Sequence, residues 1–332
     1  MDKWRTGVIT LRIEIGTNEA GQRLDKFLRK LLKDVPLSKI FKALRKGDVR
    51  VNGKKQKENY ALQVDDVVEI RYIQSTKEKP EEKFIKVNAR GMKITYEDSN
   101  ILIVEKWPNI LVHPDEKGKE PSLTDYVLSY LNEKGDYLPE NEVTFTPAPC
   151  NRLDRNTSGI VIFGKNFESL RNVNELIREG NVEKYYNALV KGKIKDGLYK
   201  GYIHKNEEAN ISRIYDEKIP NSKEIAMEVK TIKTNGAYSF LEIDLITGRS
   251  HQIRAHLSHL GTPIIGDNKY GDRKLNSFFA NKFGLDCQFL YAYKLIFRNT
   301  KDKLSYLNNK TITESLPPVF KKIKNDVFKF II

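Results

Sequence analysis

The apolar positions of the chain follow two rhythms, helical near the amino terminus and strand-rich beyond it. After a short extended arm (Val8 to Ile15), Leu24, Phe27, Leu28, Leu31 and Leu32 recur at helical spacing and predict an amphipathic helix. A second helix is predicted from Ser38, an N-cap type of residue, with Ile40, Phe41 and Leu44 inward and Gly47 ending it. Val49-Arg50-Val51 alternates as a strand into Asn52-Gly53, a hairpin signal, and Val64 to Arg71 reads as a further strand. From Gln74 to Gly91 the pattern dissolves into Lys, Glu and Pro, as in a solvated tether that lets its flanking domains move.

Past Gly91 a strand, Ile101 to Val104, precedes a turn and an apolar stretch ending at His113-Pro114, then a helix from Leu123 to Leu131. Ile160 to Phe163 is an apolar strand, and Asn166 caps a helix that turns Phe167, Leu170, Val173, Leu176 and Ile177 inward and stops at Gly180. Val182 to Val190 alternates, placing Lys184, Tyr186 and Ala188 on one face. Glu228 to Ile232 and Tyr238 to Ile246 pair about Asn235-Gly236, Thr247 to His256 enters a helix ending at Gly261, and Gln288 to Phe297 closes the pattern as a strand. The resulting plan is an arm (1–15), a small helix-hairpin module (16–73), a linker (74–91) and a larger α+β domain (92–332).

Composition adds a partner. The 332 residues, 39% hydrophobic and 10% aromatic, suffice for two cores, and the net charge is +14. Residues 21–60 hold 13 Lys and Arg against 4 Asp and Glu, so a net of +9 is concentrated there. Lys39, Lys42, Arg45 and Lys46 share the outward side of the second predicted helix. Fixed cations displace counterions condensed on phosphates, which points to nucleic acid before membrane. No apolar run approaches the ~20 residues that span a bilayer, and Met1 to Glu14 has no signal-peptide core. Cys150 and Cys287 make neither a disulfide framework nor a metal pair; a soluble cytoplasmic protein is expected. His251, His256 and His259 lack an H-E-x-x-H or added carboxylate motif, so no metal site is expected.

The candidate chemistry lies in Asn151 to Val161, N-R-L-D-R-N-T-S-G-I-V, where Asp154 stands between Arg152 and Arg155. Flanking cations favour the ionised carboxylate, fit to act as nucleophile or base. On spacing alone a turn-capping surface Asp explains the stretch as well, because Asp, Asn, Ser and Gly crowd into turns.

The string closely resembles the H-R-L-D-x-x-T-S-G signature of the RluA-type pseudouridine synthases, with Asn151 where that family usually has His. Three further stretches resemble it in order. The first, I-L-I-V-E-K-W-P-N-I-L-V-H-P, has Trp107 at a usual Pro and Asn109 at a usual Gly, Asn being tolerant of positive φ; the others are Lys184-Tyr185-Tyr186 and T-G-R-S-H-Q-I-R-A-H from Thr247. Gly261 to Gly271 also fits the family. Residues 16–73 resemble the S-four RNA-binding domain through R-L-D-K-F-L, L-S-K-I and D-V-R-V-N-G-K.

The resemblance implies a pseudouridine synthase fold, a mixed, largely antiparallel sheet with a central cleft, preceded by a small αα-hairpin RNA-binding module. It implies an isomerase that needs no cofactor and acts on RNA, large-subunit ribosomal RNA in preference to tRNA. By the same resemblance Asp154 is the nucleophile or base, Arg254 pairs with it, Tyr186 lies near the target base, and Arg152 fills the gap left by an extruded uridine. RNA is expected at Arg23, Lys39, Lys42, Arg45, Lys46, Arg50, Lys184 and Arg249, and the chain is expected to be a monomer. A non-catalytic RNA-binding ribosome-assembly factor and a hydrolytic N-glycosidase are the alternative readings.

Overall fold

The structure, a computed structural model, describes residues 9–73, 84–115, 120–140 and 142–329. The first part folds as strand β1 (Ile9–Glu14), helices α1 (Leu24–Leu31) and α2 (Leu37–Lys46), and strands β2 (Val49–Val51) and β3 (Val67–Arg71). The periodic residues are the ones buried: Leu24, Phe27 and Leu28 of α1 and Ile40 and Leu44 of α2 pack against Val49, Val51, Val68 and Ile70. Each such side chain contributes about 1.5–3 kcal/mol by leaving water. α2 stops at Gly47, which takes the left-handed conformation as expected, but it starts at Leu37 behind Pro36, so Ser38 lies inside the helix and does not cap it. Asn52 and Gly53 both have positive φ and turn the chain. The turn closes only a single bridge, Val51 to Lys54, and β2 finds its ladder partner in β3, which also pairs with β1.

The larger part runs β4 (Ile94–Glu97), β5 (Ile101–Lys106), α3 (Leu123–Lys134), β6 (Ala148–Pro149), β7 (Ser158–Gly164), α4 (Phe167–Arg178), β8 (Val182–Lys191), β9 (Gly197–Asn206), β10 (Ile211–Tyr215), β11 (Lys223–Thr234), β12 (Tyr238–Asp244), α5 (Gln252–His259), α6 (Arg273–Phe283), β13 (Leu290–Phe297), β14 (Thr311–Thr313) and α7 (Pro318–Val327). Its eleven strands make one sheet with the path β10-β9-β11-β12-β8-β13-β7-β5-β4, to which β14 and β6 attach at β13 and β7. Among the described residues every pairing is antiparallel except β7 with β13. Helices cover both faces, α3 and α5 contributing to one core, α4 to a second and α6 and α7 to a third. β7 is consequently buried at every residue.

After β5 the chain turns with Asn109 at φ 68°, the conformation its Asn allows, and the apolar stretch to His113 continues as a loop. Of the linker, residues 74–83 lie outside the described residues, and from Phe84 on the chain is packed. Phe84 joins the core, and the amides of Ile85 and Val87 donate to Asp125 and Ser129 of α3. The module also touches the larger domain: Asn18 donates to Glu142 (2.8 Å), Thr144 donates to Glu19 (3.1 Å), and the Lys30 ammonium lies over the Phe167 ring.

The parallel pairing of β7 and β13 demands that their backbones approach closely at Gly159. A Cβ there would stand 2.3 Å from the Ala292 carbonyl oxygen, and φ is +125°. Gly159→Ala is therefore expected to destabilise the larger domain by about 3 kcal/mol or more. Urea unfolding checks this, and a change below about 0.5 kcal/mol, the scatter of ordinary surface substitutions, would show the contact to be unimportant.

Candidate active site

Asp154 stands in the loop between β6 and β7, and the loop is held from three directions. The Thr157 amide donates to the Asp154 carbonyl (3.0 Å), while the Thr157 hydroxyl accepts from buried Gln288 (2.9 Å). Asn151, at the position where the family signature has His, accepts from the Ile162 amide (2.8 Å), so it fastens the loop to β7 and is not among the residues lining the cleft. Lys106, fully buried at the end of β5, donates to the carbonyls of Trp107, Ile110 and Arg155 at 3.1, 2.9 and 2.8 Å. Burial pushes its ammonium down to about 7, and the charge of Asp154 acts in the opposite sense.

The expected cations beside Asp154 are not its partners. Arg155 reaches out to Glu120, and Arg152 is exposed at the cleft. The partner is Arg254, in the first turn of α5, which donates from Nη1 to Asp154 Oδ2 (2.8 Å). Its Nε and Nη2 donate to Asp267 at 2.7 and 3.0 Å, and Asp267 is fully buried. Asp267 also accepts the amides of Lys269 and Tyr270 (2.9 and 3.0 Å), which offset its desolvation, and the guanidinium lies over the Tyr270 ring. The fork is thus fixed on one carboxylate so that its remaining nitrogen faces the other. Asp154 Oδ1 accepts no hydrogen bond among the described residues.

The approach to α5 is fixed by Gln252, whose carbonyl accepts the Thr247 hydroxyl (2.9 Å) and the Arg249 amide (3.0 Å) and whose amide donates to the Ala226 carbonyl (3.1 Å). His251, just before the helix, is left-handed at φ 57°. These segments enclose a partly open cleft of about 110 Å³ lined by Arg152, Asp154, Tyr186, Arg249, His251 and Arg254 among others. Tyr186 is buried, and burial followed by the negative charge of Asp154 raises its pKa, so at neutral pH it is a phenol.

Five of the expected site residues therefore meet at one cleft: Asp154, Tyr186, Arg254, Arg152 and Arg249. Lys184 is elsewhere; its amine turns back to the Val182 carbonyl, and burial lowers its pKa against the pull of Asp244. On the module, Lys39, Lys42, Arg45 and Lys46 are exposed along α2, and Lys39, Lys42 and Lys46 make no ion pair among the described residues. Arg23 is taken up by Asp25, and Arg50 by the carbonyls of Gly47 and Gly53. The three histidines diverge: His251 meets Tyr270, His256 packs on Tyr199 and His259 meets Asp216. Asp267, Lys106, Gln252 and Gln288 were not among the expected site residues. Gln252 and Asp267 lie inside stretches that resemble the family, and Lys106 stands as a cation on the same strand face as Leu102 and Val104.

The fold is shared with a solved protein structure. The solved structure of human RNA pseudouridylate synthase domain containing 4 superposes with a TM-score of 0.57 over 72% of this chain and 95% of that one, at 22% identity. The family model for RNA pseudouridylate synthase matches residues 100–259, and that for the S-four domain matches 22–68. Ribosomal large subunit pseudouridine synthase C of Vibrio vulnificus is 34% identical over 94% of this chain and 96% of its own length. The protein of that name from Escherichia coli is 34% identical over 86% and 88%, and an RNA pseudouridine synthase of Mycoplasma capricolum 34% identical over 91% and 96%. The chain belongs to the RNA pseudouridine synthase family and carries an amino-terminal S-four domain. Among the described residues no helix is long and apolar enough to cross a membrane.

Lys106→Met is expected to leave three carbonyls without their donor and to lower stability by about 3 kcal/mol. Its pH dependence has a defined sign. A folded-state pKa of about 7 against the ordinary 10.5 means that the unfolded chain binds the extra proton between those values. Wild-type stability accordingly gains with rising pH across that window, and the variant lacks this gain. Urea titrations at pH 7 and 9 measure both effects; parallel pH dependences would remove the buried ammonium from the account.

Proposed function

We propose that the protein isomerises specific uridines of large-subunit ribosomal RNA, with Asp154 as the nucleophile or base. The observation that carries this reading is the Asp154–Arg254–Asp267 arrangement: a carboxylate paired through one oxygen with a buried guanidinium, on a side chain that lines a cleft. Isomerisation breaks the bond between N1 of uracil and the ribose, turns the base, forms the bond from C5, and releases the C5 hydrogen as a proton while N1 takes one up. An accessible carboxylate serves whether it attacks the nucleotide or takes a proton from its ribose. No electron acceptor or group donor enters the balance.

The target uridine must leave its stack, at a cost of a few kcal/mol. Arg152, exposed at the cleft two residues before Asp154, would occupy the vacated space, and Arg249, in the same lining, would hold a neighbouring phosphate. Tyr186, as a phenol, offers the base a ring face and is not a resident anion. Ribosomal RNA is preferred to tRNA because relatives aligned over most of both chains bear the large-subunit name. The exposed lysines of α2 supply sequence-independent affinity.

Pseudouridine mapping in a strain lacking this protein tests the assignment. Wild type is expected to restore modified positions in large-subunit ribosomal RNA and Asp154→Asn none. Restoration by the variant overturns the role of Asp154, and restoration confined to tRNA overturns the substrate. For the module, neutralising Lys39, Lys42 and Arg45 together should reduce the salt slope of RNA binding by about 2 to 3, at about 0.7–0.9 per lost phosphate contact. An unchanged slope removes α2 as the binding face.

A further inference from the structure

His251 is used by nothing in the mechanism above, yet it lines the same cleft as Asp154. Its backbone is in the left-handed region, φ 57° and ψ 16°, an uncommon conformation for a side-chain-bearing residue and one that the surroundings must enforce. Gln252 fixes the chain on either side of it, and the His251 carbonyl accepts the Ala255 amide (2.9 Å) in the first turn of α5. The ring is fixed as well, because Nδ1 lies 2.9 Å from the Tyr270 hydroxyl.

The tautomer follows from what surrounds that hydroxyl. Tyr270 Oη already accepts the Ser212 amide (2.8 Å), and burial keeps the phenol protonated. Its own hydrogen needs an acceptor, and the imidazole Nδ1 at 2.9 Å is a stronger one than the neighbouring Ser212 hydroxyl, which donates its own hydrogen to the Ser250 carbonyl. A neutral ring that accepts at Nδ1 carries its hydrogen on Nε2. Burial and the Arg254 guanidinium both disfavour the imidazolium, while Asp154 favours it, and the net displacement is toward the neutral ring. Tyr270 is itself immobilised, with its amide on Asp267 and its ring under Arg254. One buried carboxylate therefore sets the direction of both Arg254 and His251.

We propose that His251 is a further catalytic residue: its Nε2–H donates a hydrogen bond to an oxygen of the uridine in the cleft and holds it while the base turns, with Tyr270 as the positioning residue. The proposal rests on the reading of this cleft as the active site. Uracil and ribose offer oxygen acceptors throughout the reaction, and a neutral donor stabilises developing negative charge on the base without competing with Arg254 for Asp154.

The test compares two amides that divide the imidazole between them. In His251→Gln the side-chain nitrogen reaches the position of Nε2; in His251→Asn, a residue at ease in left-handed backbone, only the Nδ1 side is reproduced. Single-turnover pseudouridine formation on a transcript of the target RNA is expected to slow roughly tenfold to a hundredfold in His251→Asn and to stay within about fivefold of wild type in His251→Gln, with RNA affinity and melting temperature alike in both. Equal rates in the two variants, or a wild-type rate in His251→Asn, overturn the proposal. Tyr270→Phe, which retains the ring under Arg254, should slow the wild-type background but not the His251→Asn background. An equal effect in both would mean that Tyr270 acts by some other route and would likewise overturn it. Asp154→Asn is assayed alongside: an active Asp154→Asn removes the reading of the cleft, whereas an inactive one together with a normal His251→Asn removes only the role of His251.

Discussion

One guanidinium between two carboxylates is the interaction around which the larger domain is arranged. Arg254 and Asp267 are almost without solvent contact, and ions so placed are tolerated only when their hydrogen-bonding groups are matched. Here Asp267 uses two guanidinium nitrogens and two backbone amides, and Asp154 receives the third nitrogen on one oxygen. The Asp267 side is buried, and Asp154 lines the cleft. Strong local satisfaction thus leaves one carboxylate oxygen of Asp154 without a hydrogen-bond partner among the described residues.

The two ends of that interaction are 100 residues apart, and most of the fold's unusual features serve to bring them together. The lone parallel pairing sets β7 and β13 side by side, so that the segments entering them, bearing Asp154 and Gln288, lie at one end of the sheet. Lys106 ties the Asp154 loop to the end of β5, and Gln252 ties the start of α5 to β11. Asn276 of α6 receives the Gly266 amide and donates to the Asp267 carbonyl, fixing the loop beneath Arg254. Each tie is a buried polar group satisfied by backbone, which is costly to remove and hard to satisfy in any other geometry.

How much of this is written legibly in the chain depends on the range over which each signal acts. Helix periodicity in Leu24 to Leu32, the cap at Asn166 and the turn at Asn235-Gly236 are local signals and legible in the sequence itself. β9 and β10 went unassigned because charged residues and two glycines interrupt β9, and neither strand has a strong pattern of its own. The Asp154 and Arg254 motifs were legible through family resemblance, while the electrostatics inferred from neighbours in sequence were not: Arg152 and Arg155 flank Asp154 along the chain but point elsewhere. Asp267 shows only as an acid in a glycine-rich loop, since its importance comes from burial that the tertiary structure alone confers. Asn151 illustrates the converse, a departure from the signature that the structure places in a backbone tie away from the cleft.

The separation along the chain also sets an order during synthesis. The core of the S-four domain is complete once residue 73 has emerged, whereas the sheet cannot close over its parallel pair until β13, more than two hundred residues later, has left the ribosome. Contacts of such long range form late, and amino-terminal domains generally fold first. A nascent chain therefore acquires its grip on polyanions well before it acquires any ability to alter them.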